Sequence, residues 1–127
     1  MAENFAVKIA AAASEGLDKD RGLWYEYKPT AEHYIKEKHF RVQAEEMIGF
    51  FNAWQLSSNK HWLGKFLQSW KYIGSSIKDQ LYGEWYWGRK ENETIIEGQD
   101  EAGIWKCPYQ NSRACMEIIR RIAASAV

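Results

Sequence analysis

The sequence predicts a mainly α-helical fold: an arc of an α/α toroid with two short aromatic β-hairpins between its helices. Three observations carry this expectation. Four segments of the 127-residue chain repeat apolar side chains at helical spacing. The two central segments are separated by only a few polar residues, so they should run antiparallel. Two aromatic runs, Leu23-Trp24-Tyr25-Glu26-Tyr27 and Tyr82-Gly83-Glu84-Trp85-Tyr86-Trp87-Gly88, occupy equivalent slots between helices, a hint of internal repetition. Stacked helix pairs make solenoids or closed toroids, and a complete toroid of this kind needs about twelve helices. Four or five helices make an arc, so residues 1–127 are expected to form a single partial domain.

The elements follow in order. Phe5, Ile9 and Ala12 or Ala13 predict a first helix over residues 3–15, with Gly16 as its C-cap. Residues 18–22 are turn chemistry, and Leu23–Tyr27 reads as a brief strand. Pro29 breaks it, leaving 28–40 as a loop. A second helix runs from Val42 to Leu56 on a stripe of Ala44, Met47, Ile48, Phe51 and Trp54. Ser57-Ser58-Asn59 stops it and caps a third helix over 60–78, with Trp62, Phe66, Trp70, Ile73 and Ile77 on one face. The run 82–88 is the second aromatic strand, and the polar stretch 89–103 is a loop. A last helix covers 109–124 with Cys115, Ile118, Ile119 and Ile122 inward.

Composition excludes several classes. Lys+Arg and Asp+Glu are both 17, so no basic excess points to nucleic acid or an anionic membrane. Hydrophobic residues make up 46% of the chain, which argues against disorder. No apolar run approaches the ~20 residues that span a bilayer. The start lacks a basic region, which argues against a signal peptide. With Cys107 and Cys115 read as reduced thiols, a cytoplasmic protein is expected. Their spacing matches no zinc pattern, and neither metal nor cofactor is expected.

The most informative stretch is Trp105-Lys106-Cys107-Pro108-Tyr109-Gln110-Asn111-Ser112-Arg113. It places rings, a rigid turn, two amides and an arginine just before an apolar helix. Rings stack on the apolar faces of pyranoses, while Asn, Gln and Arg hydrogen-bond hydroxyls. A mono- or disaccharide is therefore the expected ligand. The candidate substrate-binding residues are Trp105, Glu45, Arg113 and Asn111. Each has a structural alternative. Trp105 could be core at a helix entrance. Glu45 could be a solvated i,i+4 partner of Arg41. Arg113, a cation at a helix start where the dipole disfavours it, needs a partner: a ligand or a structural carboxylate. Trp24, Tyr25, Trp85 and Trp87 read mostly as packing, and Trp54, Trp62 and Trp70 as core. His61 reads as a surface or capping residue.

Several blocks together resemble the C-terminal third of cellobiose 2-epimerases, in the N-acylglucosamine 2-epimerase superfamily. They are Gln43-Ala44-Glu45, Gly49-Phe50-Phe51-Asn52-Ala53, the run Tyr82–Gly88, and Trp105–Tyr109 with Asn111–Cys115. The resemblance extends from Gly16 to Ile122. It implies an (α/α)6 barrel with a central sugar cleft and inversion of C2 at the reducing-end glucose to give mannose. That chemistry uses two histidines and neither metal nor nucleotide. One removes the C2 proton beside the C1 aldehyde; the other redelivers it on the opposite face. Three departures follow. The position after Cys107-Pro108-Tyr109, a catalytic histidine in the family, is Gln110. The other histidine belongs to a His-Asp-x-Glu motif upstream of the matched region, and His33, His39 and His61 match neither. The two tryptophans that usually precede the Gln-Ala-Glu block are Phe40 and Arg41. The resemblance thus implies an epimerase part, inactive as an isolated chain. Its partner would be an N-terminal barrel segment or a second copy. A non-catalytic carbohydrate-binding module is the alternative. A glycoside hydrolase using Glu45 and Glu84 ranks last.

Overall fold

In the computed structural model, residues 2–99 and 109–125 are described, with side chains from Phe5 onward. Trp105 and Cys107 lie outside the described residues. The elements are α1 (Ala2–Ser14), β1 (Glu26–Lys28), β2 (His33–Ile35), β3 (Lys38–His39), α2 (Phe40–Ser57), α3 (Lys60–Tyr72), β4 (Gly88–Arg89) and α4 (Tyr109–Ser125).

Helix α2 is the hub, because α1, α3 and α4 all pack against it. Its expected stripe is inward, but Phe50 and Ala53 are buried as well. A helix with neighbours on three sides cannot be one-faced. Ser58, in the left-handed region at φ 55°, ends α2, and the Asn59 side chain accepts a hydrogen bond from the His61 amide at 2.9 Å. That cap starts α3 after a two-residue connection, so α2 and α3 form the expected antiparallel hairpin. Phe51 meets Phe66 edge-on at 5.0 Å between ring centres, and Phe50 stacks on Trp62 at 5.7 Å. Beyond Tyr72 the helix loosens into a π-helical turn, Ile73–Ile77, which buries both isoleucines.

Three expectations need correction. Trp70 is exposed, not core. Ile119 and Ile122 also face outward, because Asn111, Ala114 and Ile118 form the strip of α4 that is buried. Phe5 and Ile9 lie open on α1, which buries Ala10 instead. In each helix the apolar stripe is wider than the single contact made with the hub.

The strands also differ from expectation. The first hairpin is β1–β2, with Tyr27 opposite Tyr34, so the supposed loop 28–40 contains its second strand. The second sheet is no hairpin: β3 pairs with β4 across the chain, Lys38 opposite Arg89. An ion cluster around a buried lysine holds this junction. The fully buried Lys38 side chain places its ammonium 2.6 Å from Asp20, 2.9 Å from Asp18 and 2.5 Å from Glu93. Burial would lower the lysine pKa, but its hydrogen bonds to the three carboxylates outweigh this and hold it above its usual range. Gly22 is required here: a Cβ would come within 2.6 Å of Lys38 Cδ and 2.7 Å of Tyr72 Cζ. Gln43 fixes the preceding aromatic run to α2. Its amide accepts from the Leu23 N–H at 2.9 Å and donates to the Leu23 carbonyl at 2.8 Å.

Candidate functional site

Helices α2 and α4 lie side by side and parallel, as three cross-helix pairs in register reveal. Arg113 meets Glu45, Arg121 meets Asn52, and Gln55 meets Ser125. Their N-terminal ends therefore sit together. Amides in the first turn of a helix lack intrahelical partners, so such an end suits polar ligands.

A cavity of about 570 Å³ begins at this end. Arg41, Glu45 and Gln110 form its polar mouth. Below them it runs along α2 past Val42, Gly49 and Phe50, with Ala6, Ile9, Ala10 and Ala13 of α1 on one side. Gln110, the second residue of α4, is half-buried.

Arg113 donates to Glu45 at 2.6 Å, and both remain partly exposed. This hydrogen bond is the main reason the guanidinium pKa is raised. The pair also explains how a cation is tolerated near the start of α4: the carboxylate offsets the dipole. Glu45 therefore has an interhelical partner, and not the i,i+4 contact with Arg41 that was its structural alternative. Arg41 donates instead to the Tyr25 hydroxyl at 2.9 Å and lies over that ring, which stacks on His39. Asn111 is buried, donates to Glu84 and is not part of the cavity wall. Glu84 also accepts from the Trp85 amide at 2.8 Å. Phe40 is core and packs edge-on against Trp87. Gln110 and Glu45 line the cavity, while Arg113 touches it only through Glu45 and, like Asn111, is not part of its wall.

Sequence reasoning missed Glu46. It is buried, and burial raises its pKa to about 8, against the hydrogen bond with Ser69 and the nearby charge of Lys65. Ser69 has one proton and two oxygens within reach, Glu46 Oε1 at 2.7 Å and the Lys65 carbonyl at 3.0 Å. Glu46 Oε2 has no partner among the described residues. The only signal in the sequence was a second glutamate beside Glu45.

No protein-family model matches the chain. It is 38% identical over 112 residues to a cellobiose 2-epimerase of Bacteroides fragilis, covering 88% of this chain and 29% of that protein. To a cellobiose 2-epimerase of Dictyoglomus turgidum it is 40% identical over 88 residues, 68% of this chain and 22% of that one. Among solved structures, it superimposes on the cellobiose 2-epimerase of Bacillus thermoamylovorans B4167 with a TM-score of 0.83. That match has 32% identity and covers 91% of this chain and 29% of the other. A D-mannose isomerase shares the fold at a TM-score of 0.77 and 23% identity, covering 87% and 28%. The class is therefore that of the α/α barrels. Within it, the chain is a homologue of the C-terminal part of the cellobiose 2-epimerases. It spans less than a third of the length of these relatives.

Proposed function

We propose that the chain forms one wall of a saccharide cleft of the epimerase type, as a single partial domain, and does not invert a sugar by itself. The observation that carries this reading is the convergence of Gln110, Arg41 and Glu45 on one cavity at the paired N-termini of α2 and α4. Inversion at C2 needs one group to take a proton and another to return it on the opposite face, each with a pKa near neutrality. The Gln110 amide carries no such proton, and arginine is not deprotonated in proteins. Glu45 is engaged with Arg113, and Glu46, which also lines the cavity with a pKa of about 8, is a single group that cannot take the proton and return it on the opposite face. These groups can instead hold hydroxyls: the amide donates and accepts, the guanidinium of Arg41 donates, and the carboxylate accepts.

The test is binding and exchange on the same sample. Titration calorimetry with cellobiose and mannose should detect binding that Gln110→Ala weakens. In heavy water, no deuterium should enter C2 above the buffer rate. Gln110→His should form no epimer, since one imidazole cannot serve both faces. Exchange by the unsubstituted chain would overturn the reading, as would failure to bind either sugar.

A further inference from the structure

Two neighbouring glutamates of α2 line the cavity, and burial separates them. Glu45 is exposed, and its carboxylate accepts from Arg113 at 2.6 Å. Glu46 is only 6% accessible. Its Oε1 accepts from the Ser69 hydroxyl of α3 at 2.7 Å, and its Oε2 has no partner among the described residues. Burial raises its pKa to about 8, so at neutral pH the carboxyl keeps its proton. Ser69 already donates to Oε1, which leaves that proton on Oε2. Glu46 therefore holds a buried O–H donor without an acceptor in the wall of a cavity. Buried polar groups are nearly all hydrogen-bonded, so such a donor calls for a partner. The contacts that set this side chain lie between α2 and α3, whatever is joined to the ends of the chain.

We propose that Glu46 is a specificity-determining residue of the saccharide cleft: its buried carboxyl takes one particular hydroxyl of the ligand, donating from Oε2 to the hydroxyl oxygen. This rests on the saccharide reading of the cavity and names the group in its wall that selects the sugar. Val42, Glu45, Glu46 and Gly49 recur at three- and four-residue spacing, so they share one face of α2, and all four line the cavity. A helical side chain leans towards the helix N-terminus, here the polar mouth with Arg41 and Gln110. At Gly49 a Cβ would meet nothing within 4 Å, so the wall is open one turn beyond Glu46. Ser69 is the positioning residue: it holds Oε1, while the soft terminal torsion of a glutamate lets Oε2 turn to the cavity. Arg41 and Glu45, exposed at the mouth, exchange a hydroxyl for water at little cost. A buried donor has no such exchange, so a ligand lacking the hydroxyl leaves it unpaired.

The experiment is titration calorimetry with mannose, cellobiose and the deoxy forms of each that lack a single hydroxyl. Each deoxy form reports on one hydroxyl. Glu46→Leu should bind the complete sugar about tenfold more weakly, the scale of one hydrogen bond. It should also abolish the penalty for one deoxy form only, leaving the other differences as they were. Glu46→Gln still accepts from Ser69 and donates to the sugar, so it should bind within about twofold of the unsubstituted chain. If Glu46→Leu loses its helical circular dichroism, Ser69→Ala replaces it and should narrow the same single difference. A Leu variant that weakens all these sugars alike, or none of them, would overturn the inference and leave the saccharide reading standing. So would a Gln variant as weak as the Leu variant. If the unsubstituted chain binds neither mannose nor cellobiose, the saccharide reading fails and takes this inference with it.

Discussion

Two charged clusters divide the labour of this chain. Around Lys38, three carboxylates surround one fully buried ammonium and tie together the segments 18–20, 38–39 and 88–93. Between α2 and α4, Glu45 of the cavity wall and Arg113 make a single pair of similar length, but both groups face solvent. Geometry alone does not separate them; burial does. A charge removed from water must keep its partners, while an exposed one exchanges them for water or ligand at little cost. The Lys38 cluster is therefore a structural clamp, and the Arg113–Glu45 pair is free to reorganise around a ligand.

The sharpest way to break this comparison is Lys38→Met. It leaves three carboxylates facing one another with no cation between them. The ammonium is buried but the carboxylates left behind are 30–47% exposed, so the loss should fall between that of an exposed pair, about 1 kcal/mol, and that of a fully buried one, about 3–5 kcal/mol. Urea denaturation at neutral pH should show a loss of that size. The acid response should invert as well. In the unsubstituted chain burial works to raise the Asp18 pKa, but the hydrogen bonds, chiefly from Lys38, prevail and lower it. A lowered folded pKa stabilises above the unfolded value of 3.8 and is lost as pH falls through the folded one. Without Lys38 the carboxylates repel, so acid should stabilise the variant over the same range. A variant as stable as the parent, with the same acid profile, would remove the distinction between clamp and site.

A second, smaller effect comes from Glu46, which shares neither behaviour. Its folded pKa of about 8 stands above the unfolded value of 4.5. The folded chain binds the extra proton between these values, so the stability this group contributes is full below the unfolded pKa and declines as pH rises through the folded one. Glu46→Gln should abolish that decline and raise stability by roughly 1–3 kcal/mol above pH 8, the scale of an unsatisfied buried polar group. Thermal melts across this range would decide it. Equal pH slopes in the two proteins would mean that Glu46 is ionised and hydrated.

These differences bear on what could be read in the sequence. The helices were legible because Ala44, Met47 and Phe51, or Trp62 and Phe66, repeat at helical spacing, and that pattern is local. The motif around Gln110 was legible because its residue types sit in one run. The partners of Lys38 were not: Asp18 and Asp20 read as turn chemistry, and Glu93 is 55 residues from Lys38. Outward-facing Ile119 and Ile122 were misread for a related reason. Periodicity tells which side chains share a stripe, but not how much of that stripe a neighbour covers. Asn111 adjoins Gln110 in the run, but successive helix residues point about 100° apart, and Asn111 donates to Glu84.

The smallest expected effect falls on the exposed pair. Arg113→Ala should change folding stability by no more than about 1 kcal/mol, the usual range for an exposed ion pair. The Arg113→Ala and Glu45→Gln pair, measured singly and together, should give a coupling within the same bound. Saccharide binding should respond more, for a different reason. The pair holds the start of α4 against α2, and Gln110 lies three residues before Arg113 on the same first turn. Losing the pair lets the cavity mouth open, so calorimetry should record weaker binding while the melting temperature hardly moves. If instead stability falls as far as in Lys38→Met, the pair is a second clamp, and its exposure does not carry the meaning given to it here.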